Sequence, residues 1–405
     1  MAAAEITKNK SPFYPGQPVP LDLFVGRKDQ IDRILQRGAG QVRAGKPISM
    51  FVQGDYGIGK SSIAILTQTV AEQEYGLHPI YVSLGGAKDL DDLALFILQA
   101  TVQSGAFVPA KSQRIKNWLG KYIGDQELFS FKLKLSALKE DAPSLKNVTE
   151  LLNFLSKAVE ELKDTGVTGV FLVLDEINGI SSNPTFSHFI KGLIDQNAAS
   201  GSPVPLLLML CGVEDRRRDM IRAHQPIDRV FDIVSIDAMS ESEMRDFFQR
   251  AFFTVKMTVQ DDAIDMLIRY SAGLPKIMHL VGDAAYWLDS DGVIDAADAV
   301  RAVVAAADDV GKKYVDQQVL KALRSADYKA ILRKIGKMGP TVTGFTKEEV
   351  RKQLAAPERK KFNNFLQKMK QLQVLRSGDE AGSYEFNIRM VQVYIWLKST
   401  KPDKS

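Results

Sequence analysis

The sequence predicts an α/β protein: a parallel β-sheet covered by helices on both faces, then an all-helical region, then a module of three helices and a β-hairpin. Three observations carry this expectation. Short β-type runs alternate with helical patterns through the first 240 residues. From Ser240 to about Tyr314 the pattern becomes wholly helical. From about Gln317 it changes again and ends in two short strands and an apolar segment.

The strand candidates are Ile48–Gln53, Pro79–Leu84, Val170–Leu174, Pro205–Leu210 and Asp232–Ile236. Helical patterns lie between them at Gln30–Ala44, Lys60–Tyr75, Leu90–Gln103 and Val148–Lys163. Residues 105–147 are polar and lysine-rich, and fit an insertion with one helix, Ser112–Ile123, and an extended stretch, Leu128–Leu135. In the helical region Ser240 is an N-cap with Glu243 at the capping-box position, because each side chain can satisfy a backbone N–H that the helix leaves free. Asp261–Ser271, Leu274–Leu288 and Ala296–Val310 supply three more helices. Domains are therefore expected at 1–238, 239–316 and 317–405.

Composition narrows the function classes. The 405 residues are 45% hydrophobic and 25% charged, enough apolar material for a sizeable core. One cysteine excludes a disulfide framework and a Cys-based zinc site, and fits a reducing compartment. The four histidines are scattered without metal-ligand spacing. Met1–Lys10 has no apolar core and no stretch approaches the ~18 apolar residues of a membrane span, so a cytoplasmic protein without a membrane partner is expected. The net charge of +4 hides an asymmetry. Residues 321–405 carry 19 Lys and Arg against 8 Asp and Glu, while the remainder of the chain is mildly acidic. Such a basic module suits a polyanionic partner.

The strongest motif follows the first strand. Gly54-Asp55-Tyr56-Gly57-Ile58-Gly59-Lys60-Ser61 matches G-x-x-x-x-G-K-[ST] in full. Glycines let the backbone curl so that successive N–H groups face phosphate oxygens, and the helix beginning at Lys60 adds its positive end. Lys60 then reaches the β- and γ-phosphates and Ser61, followed by Ser62, offers a hydroxyl to Mg²⁺. A second buried strand ends in Asp175-Glu176. Asp175 suits the metal, through its water shell, and Glu176 suits general-base activation of water. ATP and Mg²⁺ are the expected cofactors, on the parallel sheet of a P-loop NTPase.

These residues, with the helical region after them, resemble the AAA+ ATPases. Phe24-Val25-Gly26-Arg27 before a helix resembles the opening of the initiator clade, which includes origin-recognition ATPases and is shared by the STAND signalling ATPases. The resemblance implies that Val25 and Gly26 frame the adenine and that the helical region is a lid. It also implies that Arg229, after His224-Gln225-Pro226-Ile227-Asp228, reaches the γ-phosphate of a neighbouring subunit, with Arg216, Arg217 and Arg218 as competing sources. Gly273-Leu274-Pro275-Lys276 resembles the lid stretch whose cation faces the phosphates, with Lys276 where many relatives have arginine. Cys211 departs from the pattern. It ends the fourth strand where relatives place a water-positioning polar residue, and reads as a small buried apolar side chain.

The basic module reads as helices at Tyr328–Met338, Thr346–Leu354 and Pro357–Gln373, a hairpin of Val374–Ser377 and Ser383–Ile388, and a closing segment Arg389–Trp396. It resembles a winged helix-turn-helix. Its third helix carries Arg359, Lys360, Lys361, Lys368 and Lys370, its wing begins at Arg376, and Asn363, Asn364 and Gln367 are the candidates for base edges. The expected function is an ATP-hydrolysing AAA+ protein whose nucleotide state controls homo-oligomerisation, as a ring or filament, and binding to duplex DNA. The alternative is a STAND-like switch with slow turnover, acting on a protein effector.

Overall fold

The structure is a computed structural model and describes residues 8, 10–17, 24–104, 111, 113–115, 118, 145–339, 342, 344–372, 374–378 and 380–400. The expected extended stretch Leu128–Leu135 lies outside these residues, as does the expected helix Ser112–Ile123 apart from 113–115 and 118. The chain divides into two compact units, 26–237 and 1–25 with 238–405.

The first unit opens with a helix α1 built from Lys28–Asp32, Arg33–Ala39 and Gly40–Arg43 in succession. Strands and helices then alternate: β1 Ile48–Gly54, α2 Lys60–Tyr75, β2 Leu77–Ser83, α3 Leu90–Gln103, α4 Val148–Leu162, β3 Gly169–Asp175, α5 Pro184–Ala199, β4 Leu206–Gly212, α6 Glu214–Ala223 and β5 Asp232–Ile236. All five strands run parallel in the order β2-β3-β4-β1-β5. β3 and β4 are buried along their whole length. Their unbroken apolar runs, Val170–Leu174 and Leu206–Cys211, suit strands covered on both faces. Parallel strands end at one edge of the sheet, so the residues after β1 and those after β3 emerge at the same edge, on either side of β4.

The second unit contains α7 Glu241–Thr254, β6 Thr258–Val259, α8 Asp261–Ser271, α9 Pro275–Leu288, β7 Val293–Ile294 and α10 Ala296–Val310, which continues through Gly311–Leu320. Ser240 caps α7 as expected, with Glu243 closing the capping box. There follow α11 Ala326–Gly336, β8 Gly344–Thr346, α12 Lys347–Gln353, α13 Ala356–Gln371, β9 Leu375–Ser377, β10 Ser383–Phe386 and α14 Arg389–Thr400. The sequence shows the hairpin β9–β10 but not β8, three residues that pair with β10 to give the order β8-β10-β9.

Two packing relations differ from the sequence-based boundaries. Residues 1–25 group with the second unit, because Phe13 is buried among Phe247, Phe248, Phe252 and His279. A Cβ on Gly282 would meet the Phe13 ring at 2.3 Å, so glycine there makes the socket. No clean break occurs at 316 either. Val315 and Val319 belong to the apolar core of the basic module, and α14 contributes Met390 and Val393 to one core and Val391 and Ile395 to the other. Among the described residues no helix is long and apolar enough to cross a membrane.

Candidate functional site

The loop 54–61 forms because its glycines allow conformations that side chains oppose. Gly57 and Gly59 have φ of +76° and +98°. A Cβ on Gly54 would lie 2.5 Å from the Ile236 carbonyl, so β1 approaches β5 only with glycine at that position. Gly59 precedes the first turn of α2, and no side chain caps that turn. Its first N–H groups have no intrahelical partner.

Lys60 folds back over the loop, donating to the carbonyl oxygens of Gly54 and Asp55, both at 2.8 Å. Burial pushes its ammonium below the usual lysine range, opposed by the nearby Asp175 carboxylate. The ring of Tyr56 stands 61% exposed. Lys60 Nζ lies 5.7 Å from its centroid, and its hydroxyl donates to Asn178 Oδ1 at 3.3 Å.

Asp175 ends β3 and is 2% exposed. Its Oδ2 accepts from the Ser61 hydroxyl at 2.5 Å and from the Tyr81 hydroxyl, and its Oδ1 accepts from the Glu176 N–H at 2.8 Å. Burial and the neighbouring carboxylate hold the Tyr81 phenol well above its ordinary range, so it remains a donor. Glu176 takes a left-handed backbone conformation with φ +56°, which turns its side chain away from the path of β3. Its Oε2 accepts from Ser83 Oγ at 3.2 Å. A Cβ on Gly85 would lie 2.5 Å from that oxygen, so Gly85 leaves it room. Cys211 is fully buried, and desolvation pushes its thiol up into the protonated form.

The structure thus brings Lys60, Ser61, Asp175 and Glu176 to one edge of the sheet. Ser61 and Asp175 supply two hard oxygens that could hold a small divalent cation, and the curled loop could hold an anion beside it. Arg229 lies apart in the helical turn Gln225–Val230, exposed and without an ion pair among the described residues. Its competitors are all engaged. Arg216 pairs with Asp219, Arg217 with Asp228 and Gln53, and Arg218 with Glu214. Val25 and Lys276 belong to the second unit, Val25 against its apolar core and Lys276 exposed in the first turn of α9. Gly26 begins the first unit at φ +75°. Tyr81 and Ser83 went unread in the sequence. Their signal is the spacing of two hydroxyl residues on one face of β2, opposite the end of β3.

In the basic module several candidate cations are already engaged. Lys361 pairs with Asp327 at 2.6 Å, Arg376 with Glu385 at 2.8 Å, Lys370 donates to Ser377 Oγ and Arg359 to the Arg351 carbonyl. Lys360 is exposed without an ion pair among the described residues. Lys368 lines a cleft of about 590 Å³ with Arg324, Ser325, Tyr328, Lys361, Asn364, Gln367 and Gln371, a wall of donors without a carboxylate. Arg324 is a cation that sequence reasoning missed, because it precedes the helices that carry the motif.

No protein-family model matches the chain, and no curated protein matches its sequence. Solved structures do match in fold. A Walker-type ATPase of Pyrococcus abyssi superposes with a TM-score of 0.56 at 16% identity, over 92% of this chain and 96% of that one. The ORC2 protein of Aeropyrum pernix, in its ADPNP–ADP complexes, superposes with a TM-score of 0.54 at 12% identity, over 96% and 97% of the two chains. The chain shares the overall fold of these two structures. At such low identity the likeness is one of fold, and the chemistry of the site rests on its residues.

Proposed function

We propose that this chain is an ATPase that binds ATP with Mg²⁺ at Lys60, Ser61 and Asp175, and that its nucleotide state governs self-assembly and binding to duplex DNA. The contact of Ser61 with Asp175 at 2.5 Å, beside Lys60 at the head of α2, carries the reading. Two oxygen donors suit magnesium, and the positive-φ glycines shape a cradle of amides for phosphate. The Mg²⁺–ATP pair supplies a phosphoryl group whose transfer to water the metal's charge eases.

The chain's own groups do the rest. Lys60 exchanges two neutral carbonyl acceptors for charged phosphate oxygens, which are stronger partners. Ser61, whose hydroxyl donates to Asp175, would offer its oxygen to the metal. Glu176 leaves Ser83 and takes a proton from the attacking water. Gly26, at the start of the first unit, contacts the nucleotide from the base side. Exposed Arg229 completes the site of a neighbouring copy, which makes hydrolysis depend on assembly. The basic module acts as a winged helix, with α13 in the major groove and β9–β10 as the wing.

Buried, protonated Cys211 favours a second reading, since it supplies no polar group to hold the attacking water. Turnover is then slow, and nucleotide exchange switches assembly with a protein effector in the manner of STAND proteins. Hydrolysis assays on wild type, Lys60→Ala, Glu176→Gln and Arg229→Ala, with and without duplex DNA at low and physiological salt, separate the two. DNA-stimulated, salt-sensitive turnover that all three variants abolish supports the first reading. Negligible turnover that ignores DNA, with tightly retained nucleotide, supports the second. Failure to bind any nucleotide sinks both.

A further inference from the structure

We propose that Tyr81 is a positioning residue for the magnesium site: its hydroxyl fixes Asp175 in the orientation that receives the metal. The inference rests on the nucleotide-site reading above. Asp175 is almost fully buried, and a carboxylate in that setting must have its oxygens satisfied. Its Oδ1 is held by the N–H of Glu176. Its Oδ2 receives two hydroxyl donors, Ser61 from α2 and Tyr81 from β2.

The two donors differ in what happens to them when a cation arrives. Ser61 becomes a ligand itself, so its position follows the metal. Tyr81 is anchored elsewhere. It sits within β2 with Val173 of β3 opposite, while Ser83, two residues on, lies opposite Asp175. Alternate residues of a strand share a face, so Tyr81 and Ser83 together address the adjacent carboxylates Asp175 and Glu176. Tyr81 therefore holds Oδ2 independently of nucleotide and cation. A neutral donor does this without placing a positive charge beside the metal, which Lys or Arg at position 81 would do.

Groups that orient metal ligands typically contribute 10- to 100-fold in metal affinity. The test is binding of a fluorescent ATP analogue, followed by anisotropy while Mg²⁺ is titrated, for wild type and Tyr81→Phe. The phenylalanine keeps the ring and removes only the hydroxyl. We expect the Mg²⁺ concentration for half-maximal binding to rise roughly 10-fold in the variant. Binding in EDTA should remain that of wild type, a separation that a merely structural role would not produce, while the melting temperature falls modestly because a buried carboxylate loses one donor. An unchanged Mg²⁺ midpoint overturns the role of Tyr81 and leaves the nucleotide reading standing. Equal losses with Mg²⁺ and in EDTA also overturn it. If wild type itself shows no Mg²⁺-dependent binding, the nucleotide reading falls, and this inference with it.

Discussion

Ser61 and Asp175 meet at 2.5 Å although 114 positions separate them in the chain. The contact ties the first turn of α2 to the end of β3 across the intervening strand β4. It exists because β1, which leads into α2, and β3 both finish at the same edge of a parallel sheet.

Glu176→Gln should separate binding from turnover. The amide can still accept from Ser83, so the local structure is kept, but it cannot take a proton from water. We expect nucleotide affinity close to wild type and hydrolysis reduced by about 10²–10⁴-fold. Single-turnover assays beside equilibrium binding check this, and a parallel loss of affinity would assign Glu176 to binding instead.

The Phe13 socket should respond to glycine replacement. Gly282→Ala places a methyl where the Phe13 ring lies, and overpacking of this kind costs about 1–3 kcal/mol. Phe13→Ala empties the same space. The double variant should be more stable than the sum of the two losses, because the new methyl occupies part of the emptied volume. Thermal unfolding of the four proteins measures the coupling, and strict additivity would show that the two residues do not share the space.

His279 makes stability pH-dependent. Its Nδ1 accepts from the Tyr14 N–H at 3.1 Å, which requires a neutral ring, and burial lowers its pKa to about 4. The unfolded chain titrates near 6.5, so below that value it binds a proton that the folded chain refuses. The stability contributed by neutral His279 is complete above pH 6.5 and is lost as pH falls toward 4, by about 3 kcal/mol at most. Urea unfolding at pH 7, 5.5 and 4.5 should show the decline, and His279→Asn should flatten it. Buried His78, also lowered to about 4, adds a slope of the same sign that remains in the variant.

In the basic module, cations without an ion pair among the described residues should matter more than paired ones. Arg324→Ala and Lys368→Ala should weaken duplex DNA binding, each lowering the slope of log affinity against log salt by roughly 1. Lys361→Ala should do less, because Asp327 already neutralises that ammonium. Salt-dependent anisotropy with a random-sequence duplex checks the order, and equal effects at all three positions would remove the distinction.

Much of this was legible in the linear sequence. The loop Gly54–Ser61, the strand ending in Asp175-Glu176, the capping boxes at Ser240 and Thr346 and the helix of the basic module are local patterns. Each depends on residues within a few positions of one another, and local sterics and hydrogen bonding dictate them. Tertiary structure alone decided which of these groups meet. It supplied the pairing of β2 with β3, which sets Tyr81 and Ser83 against two carboxylates more than 90 positions away. It seated Phe13 against Gly282 and engaged Arg216, Arg217 and Arg218 in ion pairs while leaving Arg229 exposed. Strand order and side-chain pairing arise from burying apolar faces and satisfying buried polar atoms over the whole fold, and no window of sequence contains that information.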